Sequence, residues 1–153
     1  MQNLLQRYSN KNRIQKIQLN GEKMSMNDPI ANALSKIMNA EKIGQKTCLI
    51  KPVSNTLKKI FDVMNENNYI GAYTEIEDGR GKYIKINLLG SINKCNVIKP
   101  RFSVKIETYE KFEKRFLPAK DFGIILMSTS QGVMTHDQAK EKKIGGKLLA
   151  YCY

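Results

Sequence analysis

The chain has 153 residues, a length that fits one or two small domains with a modest hydrophobic core. Hydrophobic residues make up 41% of it and charged residues 26%, which argues against disorder of the whole chain. The 26 Lys and Arg outnumber the 14 Asp and Glu and leave a net charge of +12. This excess predicts a polyanionic partner, nucleic acid first, although an anionic membrane surface or mere solubility would produce the same balance.

The cysteines, Cys48, Cys95 and Cys152, are odd in number and far apart, and a single histidine, His136, accompanies them. We therefore expect neither a disulfide framework nor a metal site, and a reducing compartment follows. No stretch reaches the roughly 18 apolar residues that a transmembrane helix needs. The N-terminus is polar rather than an apolar signal sequence, so the sequence predicts a soluble intracellular protein.

Residues 1–23 form the first segment, in which five Lys and Arg face one acidic residue and apolar positions are scattered. This composition predicts a flexible basic arm. An alternative is that translation begins later, at Met24 or Met26, and that the arm is not made.

The next segment, residues 24–90, reads as helix, strand, helix, strand, strand, which predicts a compact α+β domain. Asp28 caps the first helix, Pro29 occupies its first turn and Gly44 ends it. "TCLIKP" is a short strand, and Ser54 caps a second helix in "SNTLKKIFDVMNENN". Two alternating segments then flank "EDGRG", whose Asp-Gly pair predicts a hairpin. The residues that should line the buried faces of the two helices are Ile30, Ala33, Leu34, Ile37, Met38, Leu57, Ile60, Phe61 and Met64.

A second domain, residues 91–153, reads as mainly β with short helices. We predict strands in "SINKCNVIK", "RFSVKIE", "FGIILMS" and "GKLLAYCY", and a short helix in "TYEKFEKRF" with Thr108 as its cap. The fold class is therefore α+β with two small domains.

An uncharged segment, Ser128 to Val133, interrupts this basic chain between the last two predicted strands. We interpret it as a polar turn. The following "THDQ" fits a capping box in which Thr135 and Gln138 satisfy each other's backbone amides, so a short helix begins there, with His136 facing solvent. Gly145 and Gly146 are expected to end that helix.

Few features of the sequence indicate a hydrolase. Ser130, His136 and Asp137 lie close together in the sequence, so a catalytic triad is conceivable. The G-x-S-x-G motif is absent, however, and a solvent-facing helix residue is the better interpretation of the histidine. Glu75, Glu77 and other hairpin carboxylates are predicted to be solvated strand residues.

Several features of the sequence together indicate RNA binding. "KPRFSVK" at 99–105 groups basic residues around Phe102, and such groups make phosphate contacts that supply affinity without selectivity. Selectivity requires short polar groups and exposed amides that reach the wide, shallow minor groove of A-form RNA. The uncharged turn fits that task, although an ordinary polar turn is an open alternative. Its residues are Ser128, Thr129, Ser130, Gln131 and Gly132.

Several segments resemble the small-subunit ribosomal protein eight family in its archaeal and eukaryotic form. They are "DPIANAL" at 28–34, "YIG" at 69–71, "INKCNVIKPRF" at 92–102, "FLPAKDFGIILMSTSQGVMTHDQA" at 116–139 and "GGKLLAYCY" at 145–153. The resemblance runs from Asp28 to the C-terminus, and "STSQGVMTH" followed by "GGKLLAY" is its most specific part. Residues 1–23 have no counterpart in the usual family pattern.

The resemblance implies a two-domain structural protein without catalysis, cofactor, small-molecule substrate or membrane. Such a protein binds a helical segment in the central domain of small-subunit rRNA, supports subunit assembly and meets neighbouring small-subunit proteins in cytoplasmic ribosomes. An alternative is a translational repressor that binds an mRNA hairpin mimicking the rRNA site. The implied RNA contacts are the serine-threonine turn at 128–132, backbone contacts by Lys99, Arg101 and Lys147, and a secondary contact by Asn32, Lys36 and Asn39.

Overall fold

The computed structural model describes residues 28–79 and 81–153, and these form an α+β fold as the sequence predicts. The predicted basic arm at 1–23 and the alternative start residues lie outside the described part. None of the described helices is long and apolar enough to cross a membrane.

The first helix, α1 (Pro29–Ile43), begins and ends where the sequence predicts. The Asp28 side chain accepts the amide hydrogens of Ile30 at 3.1 Å and Ala31 at 3.2 Å, which satisfies donors that a helix start leaves free. Gly44 closes the helix in the left-handed conformation, with φ 73°. The face that packs into the core contains Ile30, Ala33, Leu34, Ile37 and Ala40.

A three-stranded antiparallel sheet follows, in the order β1 (Thr47–Ile50), β3 (Gly81–Leu88), β2 (Ile70–Asp78). The hairpin prediction is confirmed, because Asp78 pairs with Gly81 across it. Helix α2 (Asn55–Glu66) connects β1 to β2 and begins at Ser54, whose hydroxyl accepts the Leu57 amide hydrogen. Strand β1 therefore lies at one edge of this sheet and β2 at the other.

The second sheet contains β4 (Cys95–Val97), β8 (Gly146–Cys152), β6 (Ile124–Thr129) and β7 (Gly132–Thr135) in that order, and β5 (Ser103–Val104) also pairs with β8. All its pairings are antiparallel. Two short helices complete this part, α3 (Tyr109–Phe116) and α4 (His136–Glu141). The C-terminal strand β8 is thus the centre of the sheet.

Strand β5 is much shorter than predicted. We expected a strand through "RFSVKIE", but only Ser103–Val104 are paired, and a 3-10 turn follows at Ile106–Thr108. Thr108 precedes α3 as predicted, but its hydroxyl donates to the Lys105 carbonyl oxygen at 2.9 Å and accepts the Lys105 amide hydrogen. Thr108 therefore occupies the N-cap position as predicted, but its side chain makes no capping hydrogen bond, because the hydroxyl stabilises the preceding turn instead.

The region between β6 and β8 also differs from the prediction. Residues 132–135 form strand β7, which makes the uncharged segment the tip of a hairpin rather than a free turn. The capping box of α4 is confirmed, since Thr135 and Gln138 exchange hydrogen bonds at 3.3 Å. Gly145 and Gly146 do not end this helix. It ends at Glu141, and Lys143 adopts the left-handed conformation, with φ 52°.

One hydrophobic core runs through both halves of the chain. Ile37 and Phe61 from the first half belong to the same buried cluster as Leu126 and Ala150 from the second sheet. A second cluster, which includes Met127 and residues of α3, covers the opposite face of that sheet. The division between residues 90 and 91 stays a prediction, and the shared core shows that the two halves pack tightly against each other.

Candidate nucleic-acid interface

The neutral turn, residues 128–132, joins β6 to β7 as a tight hairpin. Ser128 pairs with Val133 and Thr129 with Gly132, so Ser130 and Gln131 stand at the tip, where both are exposed. Gly132 has φ 121°, a conformation that side chains disfavour, so the glycine is required by the backbone of the turn. The hairpin holds the two tip residues away from the sheet.

Thr129 has a different role from the residues at the tip. Its hydroxyl donates to the Gly132 carbonyl oxygen at 2.9 Å and accepts the Gln131 amide hydrogen at 3.2 Å. These two bonds close the turn from inside. Thr129 therefore fixes the conformation in which Ser130 and Gln131 are presented.

Lys147 lies directly beside this turn, near the start of β8. It pairs with Ser128 of β6 on one side and with Ser103 of β5 on the other. Directly paired residues lie on the same face of a sheet, so the three side chains form one row. Lys147 is exposed, and the row brings one positive charge next to the hydroxyls that the sequence analysis singled out.

Gly145 and Gly146 allow β8 to lie this close to β5 and β6. A β-carbon at Gly146 would lie 2.5 Å from the Ser128 carbonyl oxygen, and one at Gly145 would lie 2.7 Å from the Val104 carbonyl oxygen. Neither distance is compatible with a side chain unless the backbone moves. The two glycines therefore allow β8 to approach its neighbours, which replaces the helix-ending role that we predicted for them.

The basic loop, residues 99–101, lies next along the surface and precedes β5. Lys99 forms an ion pair with Asp28 at 3.0 Å, and Arg101 lies 3.7 Å from the same carboxylate. The Leu148 amide donates to the Phe102 carbonyl oxygen, which ties the end of the loop to β8. The start of α1, the basic loop, Lys147 and the neutral turn thus form a continuous band.

The carboxylate of Asp28 is the anchor of the basic loop. Burial raises its pKa, but hydrogen bonds from Lys99 and the Ala31 amide, with the charges of Lys99 and Arg101, outweigh burial and lower the pKa overall. Asp28 thus remains ionised well into the acidic range. The sequence predicts Asp28 only as a helix cap, since no local pattern links residue 28 to residues 99 and 101.

Two substitutions of Asp28 separate its roles. Asp28→Ala removes both the cap and the ion pairs, and we expect it to lower the free energy of unfolding by about 1 kcal/mol or slightly more. Asp28→Asn keeps an oxygen for the amides of Ile30 and Ala31, so its loss should be smaller, because exposed ion pairs contribute little. Urea unfolding of both variants measures the difference, and equal losses would contradict the capping role.

The residues of the implied secondary contact lie farther along α1. Lys36 and Asn39 are exposed, whereas Asn32 is partly buried. At a rise of about 1.5 Å per residue, Lys36 lies roughly 12 Å and Asn39 roughly 16 Å along the axis from Asp28. Lys36 and Asn39 are therefore separate from the band, whereas Asn32 adjoins it, since its amide donates to the Asp28 carbonyl oxygen.

His136 is buried, with a side-chain exposure of 2%, so the prediction that it faces solvent was wrong. Its Nδ1 accepts the Ile125 amide hydrogen at 3.3 Å, and its Nε2 lies 3.3 Å from the buried Glu113 carboxylate of α3. Lys140 forms an ion pair with the same carboxylate. This network fixes α4 between β6 and α3, and thereby supports the hairpin that precedes α4.

Glu113, His136 and Asp137 place possible metal ligands within 4.8 Å of one another. The Lys140 ammonium group lies against the same Glu113 oxygen that would bind a cation. A positive charge at this position opposes metal binding and explains how a buried carboxylate is neutralised. The arrangement is therefore an ion-pair network.

The hydrolase hypothesis does not fit the geometry. Ser130 is at the exposed tip, and His136 follows the four residues of β7. An extended strand of that length spans about 13 Å, whereas proton transfer between serine and histidine needs about 3 Å. Both ring nitrogens of His136 also have other neighbours.

Acid should weaken the fold through His136. Burial lowers the pKa of His136, and the nearby carboxylates of Asp137 and Glu113 only partly offset it. The unfolded chain therefore takes up a proton near the ordinary histidine pKa that the folded chain does not, so stability falls as the pH drops from about 7 toward 5. Urea unfolding over this range should show a weaker pH dependence for His136→Asn, whose oxygen replaces Nδ1 as an acceptor but does not titrate.

Comparison with known protein families shows which family the chain belongs to. The model of the family described as ribosomal protein S8 matches residues 28–153, which include every residue of the described structure. The chain belongs to the ribosomal protein S8 family. It is a ribosomal protein of the small subunit that binds rRNA, and the family predicted from the sequence is confirmed, while its archaeal and eukaryotic form stays a prediction. The matched region starts at Asp28, the residue that anchors the basic loop.

Proposed function

We propose that the chain binds a helical segment in the central domain of small-subunit rRNA through the band, and that this contact supports assembly of the subunit. The observation that carries the proposal is the row formed by Ser103, Lys147 and Ser128. In this row a positive charge lies beside the neutral hairpin, whose tip is exposed. A protein that recognises RNA shape needs both kinds of group on one surface.

The two kinds of group would act on different parts of the RNA. Lys147, Lys99 and Arg101 reach phosphates and supply affinity that salt weakens. Ser130 and Gln131 extend from the hairpin tip and offer short donors and acceptors to 2′-hydroxyls and base edges in the minor groove. Thr129 and Gly132 set the shape of the tip.

Asp28 keeps the basic loop ordered before RNA binds. Its carboxylate holds Lys99 and Arg101 on one side, while both side chains remain substantially exposed, at 60% and 43%. An exposed phosphate can therefore reach them without unfolding the loop. Ordering in advance lowers the entropy cost of binding.

The secondary rRNA contact through Asn32, Lys36 and Asn39 remains a prediction. The mRNA-repressor alternative would use the same band, because one RNA surface serves both functions. We favour the rRNA function since the family is ribosomal. Crosslinking in cells, sorted into ribosomal and messenger RNA, distinguishes the two.

The rRNA region is tested with transcripts of the separate domains of the small-subunit rRNA. We expect the purified chain to bind the central-domain transcript at least about a thousandfold more tightly than the other domains, which is the low end of specific over non-specific binding by analogy with DNA-binding proteins. Measurements at several salt concentrations are needed for each transcript. Equal affinity for all domains would contradict the central-domain assignment.

A further inference from the structure

A groove between α1 and the free edge of β1 is unexplained by RNA binding. It is a hollow of about 430 Å³, bounded by side chains of α1 and by the outer edge of β1. The sequence did not indicate it, because the position of β1 at the edge of its sheet depends on its pairing with β3. Its lining residues are Lys36, Asn39, Ala40, Ile43, Gln45, Thr47, Cys48 and Leu49.

The backbone of β1 is available for pairing along this edge. β1 is the outermost strand of its sheet, and its only strand partner in the described part of the chain is β3. The Leu88 amide donates to the Lys46 carbonyl oxygen, and residues alternate in antiparallel pairs, so Cys48 also faces β3. The amide and carbonyl groups of Thr47 and Leu49 therefore point outward into the groove.

Exposed apolar side chains surround the same edge. Ile43 is 74% exposed, Leu49 58% and Leu89 54%, and they are three of the five most exposed large hydrophobic residues in the described structure. Leu89 lines a second hollow that shares Gln45 and Thr47 with the groove. An unpaired strand edge with apolar neighbours is the surface on which proteins add an extended segment as a further strand.

The charge of the groove selects the kind of segment. Lys36 lies within it, and Lys46 lines the adjoining hollow. Glu41 is the only acidic residue that lines either hollow, so the two lysines outnumber the acidic groups there. An acidic segment is therefore favoured. The basic arm at 1–23 and a second copy of this chain would both bring further positive charge.

We infer that the groove between α1 and β1 binds an extended, acidic segment of another small-subunit protein, which adds a strand to the edge of β1. RNA fits the groove less well. Its phosphates would contact Lys36, but the apolar side chains of Ile43 and Leu49 would stay exposed and the outward amides would lack hydrogen-bond partners. This inference rests on the membership of the chain in the small subunit. It assigns Lys36 and Asn39 to a protein contact, in competition with their predicted secondary rRNA contact.

Photo-crosslinking from position 49 in assembled small subunits tests the occupant. A photoreactive amino acid is placed at Leu49, with Thr74 as the matched control. Leu49 and Thr74 both pair with Lys85, so they are the two ends of one row on the same sheet face, at opposite edges. We expect several-fold more protein adduct at Leu49, mapped by mass spectrometry to a segment with a clear excess of Asp and Glu. An RNA adduct, an adduct with a second copy, a segment without acidic excess or no enrichment over Thr74 would overturn the inference.

Hydrogen exchange separates this inference from the proposed rRNA function. The amides of Thr47 and Leu49 should exchange several-fold more slowly in the assembled subunit than in the complex with the rRNA transcript alone, by up to about tenfold, because one added hydrogen bond contributes about that much. If the transcript binds tightly but the Thr47 and Leu49 amides are not protected in the subunit, the inference about the groove is wrong and the proposed rRNA function stands. Loss of transcript binding defeats the proposed rRNA contact, while the crosslink at Leu49 can still be read in assembled subunits.

Discussion

Replacement of Ser130 by alanine is expected to weaken the complex with the central-domain rRNA transcript about twofold to thirteenfold, the loss of a neutral hydrogen bond of about 0.5–1.5 kcal/mol. Ser130 is exposed at the hairpin tip, so the substitution removes a donor and acceptor without creating a cavity. No charge changes, and the dependence of affinity on salt should remain that of the unmodified protein. Binding isotherms at four or more salt concentrations give both quantities.

Lys147→Ala is the contrasting change. If Lys147 binds one phosphate, its loss should lower the slope of log affinity against log salt by about one unit, and the loss of affinity should be greatest at low salt. Lys82→Ala is the matched control, since Lys82 is an exposed lysine of β3 in the other sheet, with only a 3.7 Å ion pair to Glu77. We expect its slope to match that of the unmodified protein.

Two results would contradict the assignment of Ser130 to the minor groove and of Lys147 to phosphate. If Ser130→Ala binds normally while circular dichroism shows an intact fold, the tip does not read the minor groove. If Lys147→Ala leaves the slope of log affinity against log salt unchanged, Lys147 does not contact a phosphate. Thr129→Ala provides an intermediate case, because it removes the two hydrogen bonds that close the turn and leaves Ser130 in place.

The sequence was informative wherever the controlling interactions are local. Asp28, Ser54 and the Thr135–Gln138 pair cap their helices as predicted, because each cap involves residues no more than three positions apart. The hairpin of the first sheet was likewise visible in a short turn signal. These features need no knowledge of the rest of the fold.

Predictions failed where distant residues decide the structure. Gly132 and Val133 belong to a strand only because β6 provides the partner, and hydroxyl-rich composition alone indicated a turn. His136 is buried because its ring lies between the Ile125 amide and the Glu113 carboxylate, whose charge Lys140 balances, and Glu113 is on another helix. The family resemblance found most of the band residues, but the sequence held no signal for Asp28 as the partner of Lys99 or for the free edge of β1.

Gly146→Ala should have the largest effect on the fold near the interface. Its β-carbon would lie 2.5 Å from the Ser128 carbonyl oxygen and 3.1 Å from Thr129 Cγ2. Since the nearest atom is backbone of β6, a side chain cannot rotate away, and the two strands must separate. We expect the free energy of unfolding to fall by at least about 1–3 kcal/mol, the usual cost of overpacking a well-packed site.

The matched control for Gly146→Ala is Gly79→Ala, at the tip of the first hairpin, where an added β-carbon meets nothing within 4 Å. Its effect should lie within about 0.5 kcal/mol, because the site is open and φ is not positive. Urea midpoints measure both variants. Gly146→Ala should also weaken rRNA binding under conditions where it remains folded, since moving β8 away from β6 separates Lys147 from Ser128. Equal midpoints for the two variants would show that β6 and β8 can accommodate a side chain, and the close approach would then not be what holds Lys147 beside the turn.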